Sequence, residues 1–302
     1  MEKSSIPILD LQNFPGKYDK LLREVCEEWG CFRLVNHNIP ISLMSEMKAV
    51  VRSLFDLPTE IKQRNIPAIV SSGYIGLSKG NPLYEALGLF DIGSSQAMQN
   101  FCSQLDVSDH QRKVLESYAL LVNDLAMEIL EKLAKLMGVN GGLFEGWPMM
   151  FRMNRYHFSL ETVGSLGVQM HSDSVFLTIL QDDENVGGLE VMNKSGEFVP
   201  VDPLPGTLVV NFGDIATAWS NGRLCNVKHR VKCNEATIRF SIASFLLGPR
   251  DGPVEAPPEL VDDQHPRLYV PFTWEDYRKL RFTDKFKTSD SLPDMLINPK
   301  SE

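Results

Sequence analysis

His171 and Asp173, two apart in VQMHSDSVFLTIL (residues 168–180), put an imidazole and a carboxylate at the lip of an apolar run that reads as a β-strand. On extended backbone, residues i and i+2 point to the same side, so the two groups would converge. A second imidazole stands in the middle of LCNVKHRVKC. Alternation there places Cys225, Val227, His229, Val231 and Cys233 on one face, and Asn226, Lys228, Arg230 and Lys232 on the other. Taken singly, each has an ordinary explanation: HxD occurs in surface turns, and a lone buried histidine is commonly a core residue satisfied by one hydrogen bond. Taken together, two neutral imidazoles and one carboxylate would hold a divalent iron on one face and leave positions open for a cosubstrate, oxygen or water. A structural zinc would call for a fourth protein ligand, and none is evident.

A third group lies ten residues beyond His229, in TIRFSIASF. Alternation points Arg239 inward together with Ser241, Ala243 and Phe245. A buried guanidinium needs an anionic partner, because leaving it unpaired costs several kcal/mol. Its planar fork suits a carboxylate, and a neighbouring hydroxyl can add a further bond. The alternative is an internal salt bridge, to Glu190 or Asp214.

These groups must be carried by strands, and the second half of the chain supplies them. Past Trp147 come FRMNRYHF, GVQMH, FLTIL, GLEVM, EFVPV, GTLVVNF, NVKHRVKC and RFSIASFLL, short apolar or alternating runs punctuated by Gly, Pro, Asn and Asp. VMNKSGEFV reads as a hairpin with Gly196 at a positive-φ position. Strands at this density predict a sandwich or a barrel-like jelly roll. Before them, IPILDL and CFRLVNH read as strands, while KYDKLLREVCEEWG and ISLMSEMKAVVRSLFDLP read as helices ended by Gly30 and Pro58. The clearest helix spans residues 111–137, where Val114, Leu115, Tyr118, Val122, Leu125, Ile129, Leu133 and Leu136 recur at three- and four-residue spacing; it is scaffold. FTWEDYRKLRF turns helical again near the end. The expectation is one α+β domain: an α-rich frame over residues 1–145, a jelly-roll core over 146–250 and a helical segment over 251–302.

The composition agrees with this class and excludes others. With 302 residues, 43% hydrophobic and 23% charged, the chain is globular. A net charge of −9 argues against nucleic acid or an anionic membrane as the main partner. Five cysteines, odd in number and without a CxxC, fit a reducing compartment. MEKSSIPILDLQNF lacks the apolar region and cleavage site of a secretory signal, so a cytoplasmic location is expected; a monomer is expected as well.

In order and spacing, HxD, the distal His and RxS resemble the plant 2-oxoglutarate- and Fe(II)-dependent dioxygenases. IPILDL, WGCFRLVNHNIP, LFDLPTEIK, WSNGRLCNVKHRV and PFTWEDY extend the likeness over nearly the whole chain. NPLYEALGLFD, GWPMMFRMNRYHF, GRLCNVKHRVKC and EAPPELVDDQHPRLY narrow it to the dioxygenases for auxin oxidation. The resemblance implies a double-stranded β-helix (cupin-like jelly roll) flanked by helices. It implies Fe(II) on His171, Asp173 and His229, and 2-oxoglutarate held by Arg239, Ser241 and Tyr156, with Asn154 in the same N-x-Y segment. It further implies oxygen as oxidant, ascorbate as activity support, and oxidation of indole-3-acetic acid to its 2-oxindole with succinate and CO2 released.

Where relatives carry HTD and then a glycine, this chain has HSDSV, and Val175 tolerates positive φ poorly, so that turn is expected to be reshaped. For substrate contacts, Phe245 is the leading candidate wall, then Phe158 and Val175, each of which could equally be a core hydrophobe. Tyr74 and Tyr84 are assigned to loops at the mouth of the site. Trp219 is read as packing, His37 as structural, and Cys225 and Cys233 as small core residues. Two alternatives stand beside auxin: the same mechanism on an alkaloid or phenolic, and a non-catalytic cupin-like binding protein.

Overall fold

The computed structural model describes residues 5–13, 25–69, 72–140, 142–283 and 292–297. The first part of the chain forms β1 (Ile8–Asp10), β2 (Cys31–Val35), α1 (Ile41–Phe55), α2 (Thr59–Lys62), β3 (Tyr84–Phe90), α3 (Ser95–Gln104) and α4 (Asp109–Leu136). Of the helix expected over residues 17–30, residues 17–24 lie outside the described residues, and Val25–Trp29 form a π-helical turn ending at Gly30. Helix α4 starts on a capping box in which Ser108 and Gln111 exchange side-chain-to-backbone bonds. Its stripe from Val114 to Leu133 is buried as the spacing predicts; Leu136, at the end, is only partly so.

All eight runs past Trp147 are strands: β4 (Met149–His157), β5 (Leu166–His171), β6 (Leu177–Gln181), β7 (Leu189–Met192), β8 (Phe198–Pro200), β9 (Leu208–Phe212), β10 (His229–Lys232) and β11 (Ile238–Leu246). A short helix, α5 (Asp214–Trp219), follows β9, and α6 (Trp274–Thr283) lies near the end. The β7–β8 hairpin turns at Gly196, φ 82°, with Asn193 and Glu197 closing it.

The strands build two sheets, β1-β2-β9-β6-β11-β4-β3 and β5-β10-β7-β8. The sheets enclose a small core of Leu189, Val191, Val209, Val227 and Val231, while α1 and α4 pack on the outer side of the larger sheet against Phe151, Met153 and Ile179. Four strands of each sheet belong to the second half of the chain, the jelly-roll core. Strands β1, β2 and β3 extend the larger sheet at both edges, so the frame supplies walls as well as helices. Among the described residues, every strand pairing is antiparallel except β1 with β2. Among the described residues no helix is long and apolar enough to cross a membrane.

Strict alternation sorts the larger sheet. On β11, Phe240, Ile242 and Leu246 face the helices, and Arg239, Ser241, Ala243 and Phe245 line a cavity between the sheets. On β4, Phe151 and Met153 face out, and Arg152, Asn154 and Tyr156 face in.

Candidate active site

Antiparallel pairing of β5 with β10 puts His171 directly opposite His229, with ring centroids 4.3 Å apart. Each ring turns Nδ1 toward the carbonyl two residues upstream: His171 to Gln169 at 2.8 Å, His229 to Val227 at 3.2 Å. Nδ1–H donation there leaves both Nε2 lone pairs facing the centre, the orientation that a metal-ligating imidazole takes. Asp173, two residues past β5, is anchored from the other sheet. Its Oδ2 accepts from Thr178 Oγ1 (2.6 Å) and Asn211 Nδ2 (2.9 Å), which are register partners on β6 and β9. The remaining oxygen, Oδ1, lies 3.7 Å from Nε2 of His171 and 3.8 Å from Nε2 of His229. The three donor atoms lie within 4.8 Å of one another, the group among the described residues that could hold a metal ion.

The charges suit that use. Burial, and then His229, push the His171 imidazole down to about 4, so the ring is neutral at pH 7, as a ligand must be. Burial pushes Asp173 upward, but His229, His171 and the bonds from Thr178 and Asn211 outweigh it and keep the carboxyl below its usual range. This donor set, nitrogen and oxygen with both imidazoles in the ligating tautomer, fits Fe(II).

Deeper in the cavity lies Arg239, 1% exposed. Its Nη2 pairs with Asp182, which follows β6; neither Glu190 nor Asp214, the partners considered from sequence, is used, since these pair with Arg230 and Arg281. The Asp182 pair occupies one arm only. Nε and Nη1 of Arg239 are buried with no hydrogen-bond partner, an arrangement that leaves room for an anion. Around that guanidinium, Tyr156 lies opposite Arg239 on β4, its ring 4.9 Å below the guanidinium carbon. Ser241 accepts from Asn154 Nδ2 at 3.1 Å, and Asn154 Oδ1 accepts from Tyr84 at 2.8 Å. Burial holds the Tyr156 hydroxyl up at about 12, so it stays protonated and can donate. A carboxylate end of 2-oxoglutarate fits this set of donors.

Of the substrate candidates, Phe245 lines the cavity and Phe158, Val175 and Tyr74 do not. Phe158 packs on the far side of Tyr156, ring centroids 5.6 Å apart. Val175 is buried in the main core beside Phe176, because its turn directs the side chain away from the cavity. Its backbone has no positive φ, so the turn does accommodate a β-branched residue. Tyr74 gives its hydroxyl to Glu85 at 2.6 Å on the outer side of β3. Tyr84 is not on a mouth loop: it starts β3, register partner of Tyr156, and reaches the cavity wall. Trp219 packs against Phe144 and Phe176, and Cys233 is buried; Cys225 is half-buried, off the cavity, with Sγ on the Glu27 carbonyl.

Sequence reasoning missed Arg152, a second guanidinium on the cavity wall. It donates from Nη1 to the Gly73 carbonyl at 3.0 Å and directs Nε to the Tyr84 hydroxyl at 3.4 Å. The signal was present, since Arg152, Asn154 and Tyr156 alternate on one face of FRMNRYHF. Asp182 was missed because nothing local marks a residue that pairs across 57 positions.

Residues 147–248 match the model of the 2OG-Fe(II) oxygenase superfamily, and residues 6–105 match that of the non-haem dioxygenase N-terminal region named for morphine synthesis. The 2-oxoglutarate-dependent dioxygenase DAO of rice, Oryza sativa subsp. japonica, is 49% identical over 292 residues, 95% of this chain and 97% of its own. The crystal structure of the rice dioxygenase for auxin oxidation superposes with a TM-score of 0.89 at 48% identity, covering 97% of this chain and all of that one. Dioxygenase for auxin oxidation 1 of Arabidopsis thaliana, in its binary complex with 2-oxoglutarate, gives a TM-score of 0.84 at 55% identity over 87% of this chain and all of its own.

Proposed function

The chain belongs to the 2OG-Fe(II) oxygenase superfamily, and from that premise we propose that it oxidises indole-3-acetic acid to 2-oxindole-3-acetic acid. It is an oxidoreductase that uses Fe(II) and 2-oxoglutarate. The substrate is that for which the rice and Arabidopsis proteins are named. What carries it to this chain is the cavity wall past the cosubstrate seat, where an aromatic ring, Phe245, and a second guanidinium, Arg152, share one face with Arg239. An aromatic acid asks for that pair of groups.

Nε2 of His171, Nε2 of His229 and Oδ1 of Asp173 would hold the iron. When bound, Fe(II) supplies the activation of O2 and the oxidative decarboxylation of 2-oxoglutarate to succinate and CO2. The chain's own part is placement. Arg239, Ser241 and Tyr156 hold the far carboxylate of the cosubstrate, with Asn154 fixing the Ser241 hydroxyl. Arg152, its Nε held on the Tyr84 hydroxyl, receives the substrate carboxylate, and Phe245 sets the plane of the indole. Val168, Val191, Val227 and Val231 line the rest and keep water from the reacting atoms. In a chain of net charge −9, the groups that face an anion here are Nε and Nη1 of Arg239 and the Arg152 guanidinium. All these groups come from one chain, so a monomer suffices. The free cysteines fit the cytoplasm.

The test is succinate formation by purified protein with Fe(II), ascorbate and 2-oxoglutarate, with and without indole-3-acetic acid. Succinate stimulated by the auxin, with a product one oxygen heavier, is the expected result. Succinate formed with the auxin unchanged would discard the substrate and keep the oxygenase. No succinate at all would favour the cupin-like binding protein.

A further inference from the structure

Iron ligands on a turn are only as well placed as the turn. Ser172, Asp173, Ser174 and Val175 follow β5 with no further strand pairing, yet each of their carbonyls accepts a bond. Asp173 O takes the amide of Asp214 at 2.8 Å, and Val175 O that of Ile215 at 3.2 Å, both at the start of α5. This close approach requires Gly213, where a Cβ would stand 2.5 Å from Asp173 O and 2.3 Å from Val175 O. The other two carbonyls are taken by side chains of α6. Arg281 Nη2 donates to Ser172 O at 2.8 Å, and Trp274 Nε1 donates to Ser174 O at 3.1 Å. Arg281 is itself aimed by Asp214, whose Oδ2 accepts from Arg281 Nη1 (2.5 Å) and from the Tyr277 hydroxyl (2.7 Å), while Asn226 holds Oδ1 at 2.5 Å.

The structure assigns to α6 a role in the metal site: Arg281 and Trp274 are positioning residues that clamp the carbonyls on either side of Asp173, with Asp214 and Tyr277 fixing Arg281. Asp173 is thereby fixed twice, by Thr178 and Asn211 at its side chain and by α5 and α6 at its backbone. The turn needs no glycine at Val175, whose φ is not positive. The role of α6 rests on the assignment of His171, Asp173 and His229 as metal ligands. It concerns iron affinity, not which substrate is oxidised.

Variants that hold the charge constant while breaking the bonds make the clamp testable. A cation at position 281 repels a metal ion, so losing it would by charge alone tighten binding; losing the clamp loosens it. Arg281→Lys keeps the charge but cannot bond Asp214 and Ser172 O with a fork, and Trp274→Phe removes the indole N–H while keeping a smaller aromatic ring. The probe is Mn(II) titrated into metal-free protein and followed by electron paramagnetic resonance, alongside the Tm of each metal-free variant. Ile129→Val, a core trim in α4, serves as the control for lost stability. Both α6 variants should weaken Mn(II) binding about tenfold, the scale of losing a partner that orients a ligand, and Ile129→Val should leave it within twofold at a comparable loss of Tm. Mn(II) affinity within twofold of the parent in Arg281→Lys and Trp274→Phe would overturn the clamp and leave α6 as packing. Should Arg281→Lys fail to fold, Trp274→Phe decides alone. A parent protein that binds no Mn(II) would overturn the metal-ligand assignment itself.

Discussion

Arg239→Lys isolates the geometry of the cosubstrate seat from its charge. Arg239 is 1% exposed and gives one arm to Asp182, while Nε and Nη1 have no protein partner. A lysine at this depth carries the same charge on one compact nitrogen, which Asp182 would draw to itself. The bonds then lost to 2-oxoglutarate are charge-assisted, about 1.5–3 kcal/mol for each. Loss of one raises the 2-oxoglutarate concentration needed by about 10- to 150-fold, at about 1.4 kcal/mol for each factor of ten. The assay is the KM for 2-oxoglutarate in succinate formation at saturating Fe(II) and auxin, with Tm measured in parallel. Stability should fall less than for a neutral replacement, because Asp182 keeps a cation facing it. A KM within twofold of the parent, in a protein of unchanged Tm, would refute the reasoning and make Arg239 a structural partner of Asp182 only.

Arg152→Gln should raise the KM for indole-3-acetic acid about tenfold or more and leave the KM for 2-oxoglutarate nearly unchanged, because it removes a charge from the substrate side of the wall. An equal rise in both constants would place Arg152 in the scaffold instead. Glu85 makes a buried cluster with Lys62, Tyr74, Arg155 and His157 on the outer side of β3. Burial pushes its carboxyl up, but the bonds from His157, Lys62 and Tyr74 and the Arg155 charge hold it far below the ordinary value of 4.5. A lowered folded pKa contributes stability that is present above the unfolded value and lost as pH falls toward the folded one. Glu85→Gln should therefore lower Tm at pH 7, with a cost of roughly 3–5 kcal/mol for a broken buried pair. It should also flatten the fall of Tm below about pH 4.5. An unchanged acid limb would show that other carboxylates dominate it.

What could be read from the amino acids followed period and punctuation. The strands past Trp147 are legible because branched and aromatic residues alternate between turn formers, and that period of two set the inward faces of β10 and β11 correctly. Strand β3 was not legible: YEALGLF contains Glu, Ala and Gly, poor strand formers, and becomes a strand because β4 offers a full pairing edge. Tyr84 was misplaced for that reason. Short α5 was missed as well, since DIATAW carries no helical stripe and is held by its contacts to the Asp173 turn. The residues proposed to hold iron, and the arginine proposed for the cosubstrate, are legible by type and spacing, and the fold brings them to one cavity. The residues that aim them, Thr178, Asn211, Asp182, Trp274 and Arg281, are not, because each acts across a distance in sequence that only the folded chain closes.

The most direct measurement is the fate of oxygen-18 gas during turnover of indole-3-acetic acid with Fe(II) and unlabelled 2-oxoglutarate. Coupled oxidation at this site predicts one labelled oxygen in succinate and one in the oxindole product, formed in equal amounts, by mass spectrometry. Label in succinate with none in an indole product would contradict the central claim, leaving a 2-oxoglutarate oxygenase whose substrate is not auxin.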